Sequence, residues 1–130
     1  MKWSLRYFLY YWFPLVLYGL LIFILSSGPA PEGGPEFFQA DKVAHFLIFA
    51  GLGALCLRTL YTTALNKSLM TVLLVSMVLS SGYGISDELH QFFVPSRDSN
   101  FFDAIADITG SITGVLIYWR FFISRARIKG

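Results

Sequence analysis

An all-α fold, a four-helix transmembrane bundle with both termini cytoplasmic, is what this sequence predicts, and three observations predict it. Apolar residues fill 55% of the 130 positions and charged residues only 14%, too little polar surface to wrap a domain of this size in water. The apolar residues gather into four long runs, each near the ~20 residues with which a helix crosses a bilayer core. The lysines and arginines sort to alternate ends of those runs. Residues 1–130 read as a single membrane domain, because no linker, internal repeat or low-complexity tract divides them. The composition runs against disorder, a nucleic-acid module and a disulfide-stapled fold, since the lone Cys56 has no partner within the chain.

The first run, residues 8–25, carries no charge and is interrupted only by Pro14. It reads as a membrane anchor rather than a signal peptide, because it exceeds a typical signal core and no A-x-A site follows. Pro14 is expected to kink it, as membrane helices tolerate. Prolines and glycines make residues 26–40 a loop. The second run, residues 43–60, contains His45 near its start and Arg58 near its end, and a short polar turn at 61–68 leads to the third, residues 69–85. A polar segment, 86–100, holds Pro95, which bars helix continuation. The fourth run, residues 101–123, carries Asp103 and Asp107 in its first third and ends in a basic tail.

Short-loop lysines and arginines resist translocation and so set orientation. Lys2, Arg6, Arg58, Lys67, Arg120, Arg125, Arg127 and Lys129 fall on one side, leaving Lys42 and Arg97 for the other. Both termini are therefore expected in the cytoplasm. The acids agree, because Glu32, Glu36, Asp41, Asp87, Glu88, Asp98, Asp103 and Asp107 all fall at or beyond the opposite face. Trp3, Tyr7, Trp12, Tyr118 and Trp119 are placed near the cytoplasmic interface, the level amphipathic rings favour.

Polar residues concentrate at the outer level of three segments. Asp41 and His45, four apart, lie about 40° apart on one helix face. Ser76, Ser80, Gly84, Asp87 and Gln91 fall within about 80° of one another if their helix runs through, whereas Glu88 and His90 point away from that stripe. Asp103, Asp107, Gly110 and Gly114 share a third face. Ionisable groups in a membrane segment cost at least a few kcal/mol each and normally face a bundle interior or a cavity, so the three faces are expected to meet. Each residue also has a plainer reading. Asp41 fits an N-cap, His45 a structural hydrogen bond, Asp87 and Glu88 interfacial solvation, and Arg97 either an internal counter-ion or an anion clamp. Gly110 and Gly114 match the small-xxx-small pattern and are assigned to packing within the chain, with Gly51 and Gly53 in similar roles and Cys56 as a small apolar filler. No phosphate loop, CxxC pair or G-x-S-x-G elbow is present. The His, Asp and Glu residues have the chemistry to ligate a divalent cation, but their spacing fits no recognised metal motif.

Three ordered blocks resemble the VanZ-like family of small bacterial membrane proteins. They are Asp41-Lys42-Val43-Ala44-His45-Phe46, then Asp87-Glu88-Leu89-His90-Gln91-Phe92-Phe93-Val94-Pro95-Ser96-Arg97, then Asp103-Ala104-Ile105-Ala106-Asp107 with Gly110. The family pattern runs approximately D-K-x-x-H-F, D-E-x-x-Q-x-F-x-P-x-R and D-x-x-x-[DN]-x-x-G. Ser96 stands where glycine is common and Asp107 where asparagine is common. The resemblance implies a multi-pass protein of the bacterial cytoplasmic (inner) membrane. Its namesake raises resistance to the glycopeptide teicoplanin, a phenotype that is not transferred here.

Together these readings give a polar site at the outer membrane face. Asp41, His45, Asp87, Glu88, Asp103 and Asp107 are its candidate catalytic residues, and Gln91, Arg97 and Lys42 its candidate ligand-binding residues. The expected ligand is a cell-envelope component, lipid-linked and phosphate-bearing. Arg97 would contact the anion, Gln91 would orient it, and His45 with Asp87 would form the acid/base pair. Membrane lipids are the expected partners and nucleic acid is not; cofactor, metal and oligomeric state are left open. The competing reading is a non-catalytic scaffold or accessory subunit whose polar network only fixes helix packing. An ion-coupled transporter fits less well, because polar groups at one face offer no through-path. Topology is directly testable. Reporter fusions at Asn66 and at the C-terminus are expected to read as cytoplasmic and tags near Gly34 or Ser99 as external; an external C-terminus overturns the orientation.

Overall fold

The computed structural model describes residues 4–29, 39–64, 67–95, 97 and 99–128. Four long helices organise it: α1 (Leu5–Ser27), α2 (Ala40–Thr63), α3 (Leu69–Phe92) and α4 (Phe101–Ala126). All four are long and apolar enough to cross a membrane, and the chain is a multi-pass membrane protein. Several residues used in the sequence reading lie outside the described residues: Lys2, Trp3, the loop at 30–38 with Glu32 and Glu36, Ser96, Asp98 and Lys129, together with the side chain of Arg127.

Every helix is longer than its apolar run. The largest difference is at α3, which continues through the polar residues after 85 to Phe92. Polarity does not stop a helix whose side chains find partners inside a bundle; Pro95, three residues beyond, does. Capping follows local chemistry. The Ser68 hydroxyl accepts from the Thr71 N–H at 3.1 Å, and the Asn100 carboxamide oxygen accepts from the Phe102 N–H at 3.0 Å, each satisfying an amide that has no partner within its helix. At α2 the residue before the helix is Gln39, in the left-handed region at φ 63° with no side-chain cap. Asp41 is therefore not the N-cap, but it sits in the first turn, where its charge complements the helix dipole. Around Pro14 the backbone forms a π-helical turn, Phe8–Trp12. A proline ring collides with the carbonyl four residues earlier, here Tyr10, and a wider turn relieves that contact.

The closest helix pair is α2 with α4, and glycine makes it so. A Cβ at Gly110 would stand 2.2 Å from the Phe46 carbonyl oxygen, one at Gly114 1.9 Å from that of Ala50, and one at Gly53 2.2 Å from that of Ser111. Each helix thus presents hydrogen to the other's backbone, the small-residue packing that drives association where lipid supplies no hydrophobic force. Helix α3 packs on this pair, with Gly84 against the Asp107 Cβ. Leu57, Val72, Leu73, Val115 and Ile123 form one apolar core, and Ile22, Phe49 and Leu52 a second. Buried Cys56 fills space as expected. Helix α1 is peripheral and is held by tyrosine hydroxyls: Tyr18 donates to the Ile48 carbonyl at 2.9 Å and Tyr83 to that of Gly19 at 2.7 Å. The outward surface is apolar, with Val78, Phe92 and Phe101 about 70% exposed or more, as a bilayer-facing surface requires.

Two glycine substitutions separate packing from propensity. Gly114→Ala is expected to force α2 and α4 apart and cost about 1–3 kcal/mol or more. Gly82→Ala, which meets nothing within 4 Å, is expected to gain about 0.5–1 kcal/mol, the usual helix advantage of alanine. Thermal unfolding in detergent reads both.

Candidate functional site

The C-terminal ends of α1 and α3 meet the N-terminal ends of α2 and α4, and the acidic residues collect there. Three polar groups form. The outermost is Lys42, whose ammonium bridges Asp41 at 2.7 Å and Asp103 at 2.9 Å. Asp41 is largely exposed, while Asp103 is buried.

One turn deeper lies a buried triad. The His45 Nδ1 is 2.9 Å from the Asp107 Oδ1 and 3.6 Å from the Glu88 Oε1. Asp107 is fully buried, with Gly84 against it. The other oxygen of Glu88, Oε2, is held from the α3–α4 connection, accepting from the Asn100 N–H at 3.3 Å and the Ser99 hydroxyl at 3.4 Å. This anchoring turns Oε1 toward His45. Both the Glu88 Oε1 and the Asp107 Oδ2 are buried without a hydrogen-bond partner, as is the Ser111 hydroxyl one turn below.

The third group faces α1. The Asp87 Oδ2 accepts from the Ser26 hydroxyl at 2.8 Å and from the Gln91 amide at 2.9 Å, all three residues being buried. Next to it, His90 pairs through Nε2 with the Ser27 hydroxyl at 3.0 Å.

The three polar faces therefore meet, but not in the expected pairs. His45 pairs with Asp107 and Glu88, not with Asp87. Glu88 does not point away: it is buried and turned into the triad, whereas Asp87, though on the stripe, turns toward α1. His90 does lie off the stripe. Asp41 shares a helix face with His45 without joining its cluster. Ser26, Ser99 and Asn100 were not anticipated as supports. The N-cap preference of asparagine before an apolar run was the available signal for Asn100; nothing local marks Ser26.

The opposite end is basic and aromatic. The Arg58 guanidinium lies 4.6 Å from the Tyr10 ring centre and 5.3 Å from that of Tyr11, and the Tyr7 hydroxyl bonds Thr62 and Thr63. Between α1, α2 and α3 an apolar groove of about 560 Å³ is lined by Leu15, Gly19, Phe23, Leu52, Leu79 and Tyr83, among others. Phe23 and Tyr83 are one turn from Ser26 and Asp87, so the groove leads to the acidic end.

The sequence pattern of the VanZ/LLP1 family matches residues 6–123. The chain belongs to this family. No curated protein and no solved structure matches it. Within this VanZ/LLP1 member the Asp-Lys-x-x-His, Asp-Glu and Asp-x-x-x-Asp blocks occupy three different helices, and their side chains assemble at one bundle end.

Arg97 was expected to be a counter-ion or an anion clamp. Its Nε instead donates to the Gly28 carbonyl at 2.8 Å, and its Nη2 to the Leu25 carbonyl, so the guanidinium caps the C-terminus of α1. The planar guanidinium holds its Nε and Nη2 donors in a fixed fork toward the two carbonyls, a geometry that a point-like ammonium on a flexible stem does not reproduce. Arg97→Gln and Arg97→Lys are both expected to speed amide hydrogen exchange around residues 25–29; full protection in Arg97→Lys would return Arg97 to a role of charge alone.

Proposed function

We propose that this VanZ/LLP1 membrane protein binds, and acts on, a lipid-linked, phosphate-bearing component of the cell envelope at its acidic bundle end. The observation that carries this reading is the meeting of a lipid-accessible apolar groove with a buried, incompletely bonded polar triad. A single amphipathic molecule has the shape for both: its chain lies along α1 and α3 and its headgroup reaches the level of His45, Glu88 and Asp107. Lys42 and Arg97, the cations at that end among the described residues, stand at the rim. The bias of lysine and arginine supports a site at the outer face of the cytoplasmic membrane, with both termini inside.

The scaffold reading has its own support in the Ser26–Asp87–Gln91 group, which leaves no buried atom without a partner. Glu88→Gln separates the two. Breaking a buried structural ion network costs on the order of 3–5 kcal/mol, so a scaffold predicts a clear loss of thermal stability in detergent. A site that gathers like charges for a ligand is relieved by neutralisation. The expected outcome is Glu88→Gln protein as stable as the parent or more so, with the co-purifying phospholipid-type ligand lost from its mass spectrum. Proportional loss of stability and phenotype across Glu88→Gln, Asp103→Asn and Asp107→Asn replaces the site with the scaffold.

A further inference from the structure

We propose that His45, Glu88 and Asp107 form a binding site for one divalent transition-metal ion, with zinc as its type. One ligand atom from each residue lies within 4.8 Å of the others. A four-coordinate ion with bonds of about 2.0–2.1 Å holds its ligand atoms about 3.3 Å apart, and the 2.9 Å and 3.6 Å separations from the His45 Nδ1 bracket that value. The three residues need only small side-chain adjustments to close on an ion.

Two independent features point to a ligand rather than to an acidic patch. The Glu88 Oε1 and Asp107 Oδ2 are buried without a hydrogen-bond partner, on side chains only 7% and 0% exposed, and a buried carboxylate oxygen without a hydrogen bond is costly. The Glu88 carboxylate is also held from behind by the Asn100 amide and the Ser99 hydroxyl, the outer support that orients metal ligands. Formal charge agrees. With His45 neutral, as ligation through Nδ1 requires, the Glu88 and Asp107 carboxylates carry two negative charges, and a divalent cation balances them. An imidazole nitrogen with two carboxylates favours zinc-like ions over magnesium or calcium, which take all-oxygen sets. Three protein ligands leave a position open, and an anionic headgroup would enter it without meeting bare carboxylates. That last role rests on the lipid-phosphate reading above; the binding of the ion does not.

The test uses the full chain in detergent, stripped with chelator and free of added lipid, titrated with Zn²⁺, Mn²⁺ and Mg²⁺ and followed by thermal shift and by metal content after desalting. The expected result is a single retained Zn²⁺ with a raised Tm, and little response to Mg²⁺. Glu88→Gln and Asp107→Asn are expected to weaken binding by more than the roughly 10–100-fold that losing a supporting hydrogen bond costs, while Ser86→Ala, at an exposed position of α3, binds as the parent. Co²⁺-loaded parent protein needs no variant: four-coordinate visible bands, displaced by Zn²⁺, support the site. A six-coordinate spectrum like that of the free ion overturns it, as do equal affinity for Mg²⁺ and undiminished binding in folded Asp107→Asn. Failure here leaves lipid co-purification unaffected, and absence of lipid leaves metal binding unaffected.

Discussion

Backbone contact between α2 and α4, with Gly110 on Phe46, Gly114 on Ala50 and Gly53 on Ser111, brings His45 and Asp107 within hydrogen-bonding distance. The geometry of the acidic end depends on it. Ordinary helices pack at interaxial distances of about 8–10 Å, set by the side chains between them; here those side chains are missing at Gly110 and Gly114 on successive turns of α4 and at Gly53 on α2. In lipid no hydrophobic force draws helices together, so close dispersion contact and buried polar pairs supply the association. The two supports reinforce each other. The glycines permit the approach that makes the His45–Asp107 pair short, and the pair fixes the register in which each glycine meets a carbonyl.

Helix α3 then has a specific task, because it faces two neighbours. At 100° per residue Asp87 and Glu88 point about 100° apart, and Gly84 lies between them on the helical wheel. Gly84 meets Asp107, so Glu88 falls on the α4 side and Asp87 on the α1 side. The pair of adjacent acids is thereby divided between two polar groups with different neighbours.

This division explains how much was legible beforehand. Four apolar runs, the polar level they share and the small-residue seam were readable, because composition, period and glycine spacing are properties of single helices. Which acid faces His45 was not readable. It depends on the rotation of α3 against two partners at once, and Asp87 and Glu88 are equally acidic and adjacent. The role of Arg97 was hidden for a related reason: its partners are backbone carbonyls of Leu25 and Gly28, which no side-chain pattern announces. The end of α3 was misplaced because the polar residues 86–91 resemble a loop until their tertiary partners are known.

The two buried groups at the acidic end differ in kind. Around Asp87 a hydroxyl and an amide donate to one carboxylate, a closed arrangement that rigidifies a junction. Around His45 one imidazole faces two carboxylates, and two oxygens have no donor. A membrane interior tolerates ionisable groups only where they are paired or functional. The first group meets that condition by pairing alone. The second meets it only in part: His45 pairs with Asp107 at 2.9 Å, while Glu88, oriented from behind by a serine hydroxyl and a backbone amide, faces His45 at 3.6 Å and keeps that oxygen without a hydrogen bond. The closed group locks α3 to α1, whereas the open one leaves hydrogen-bonding capacity unused between α2, α3 and α4.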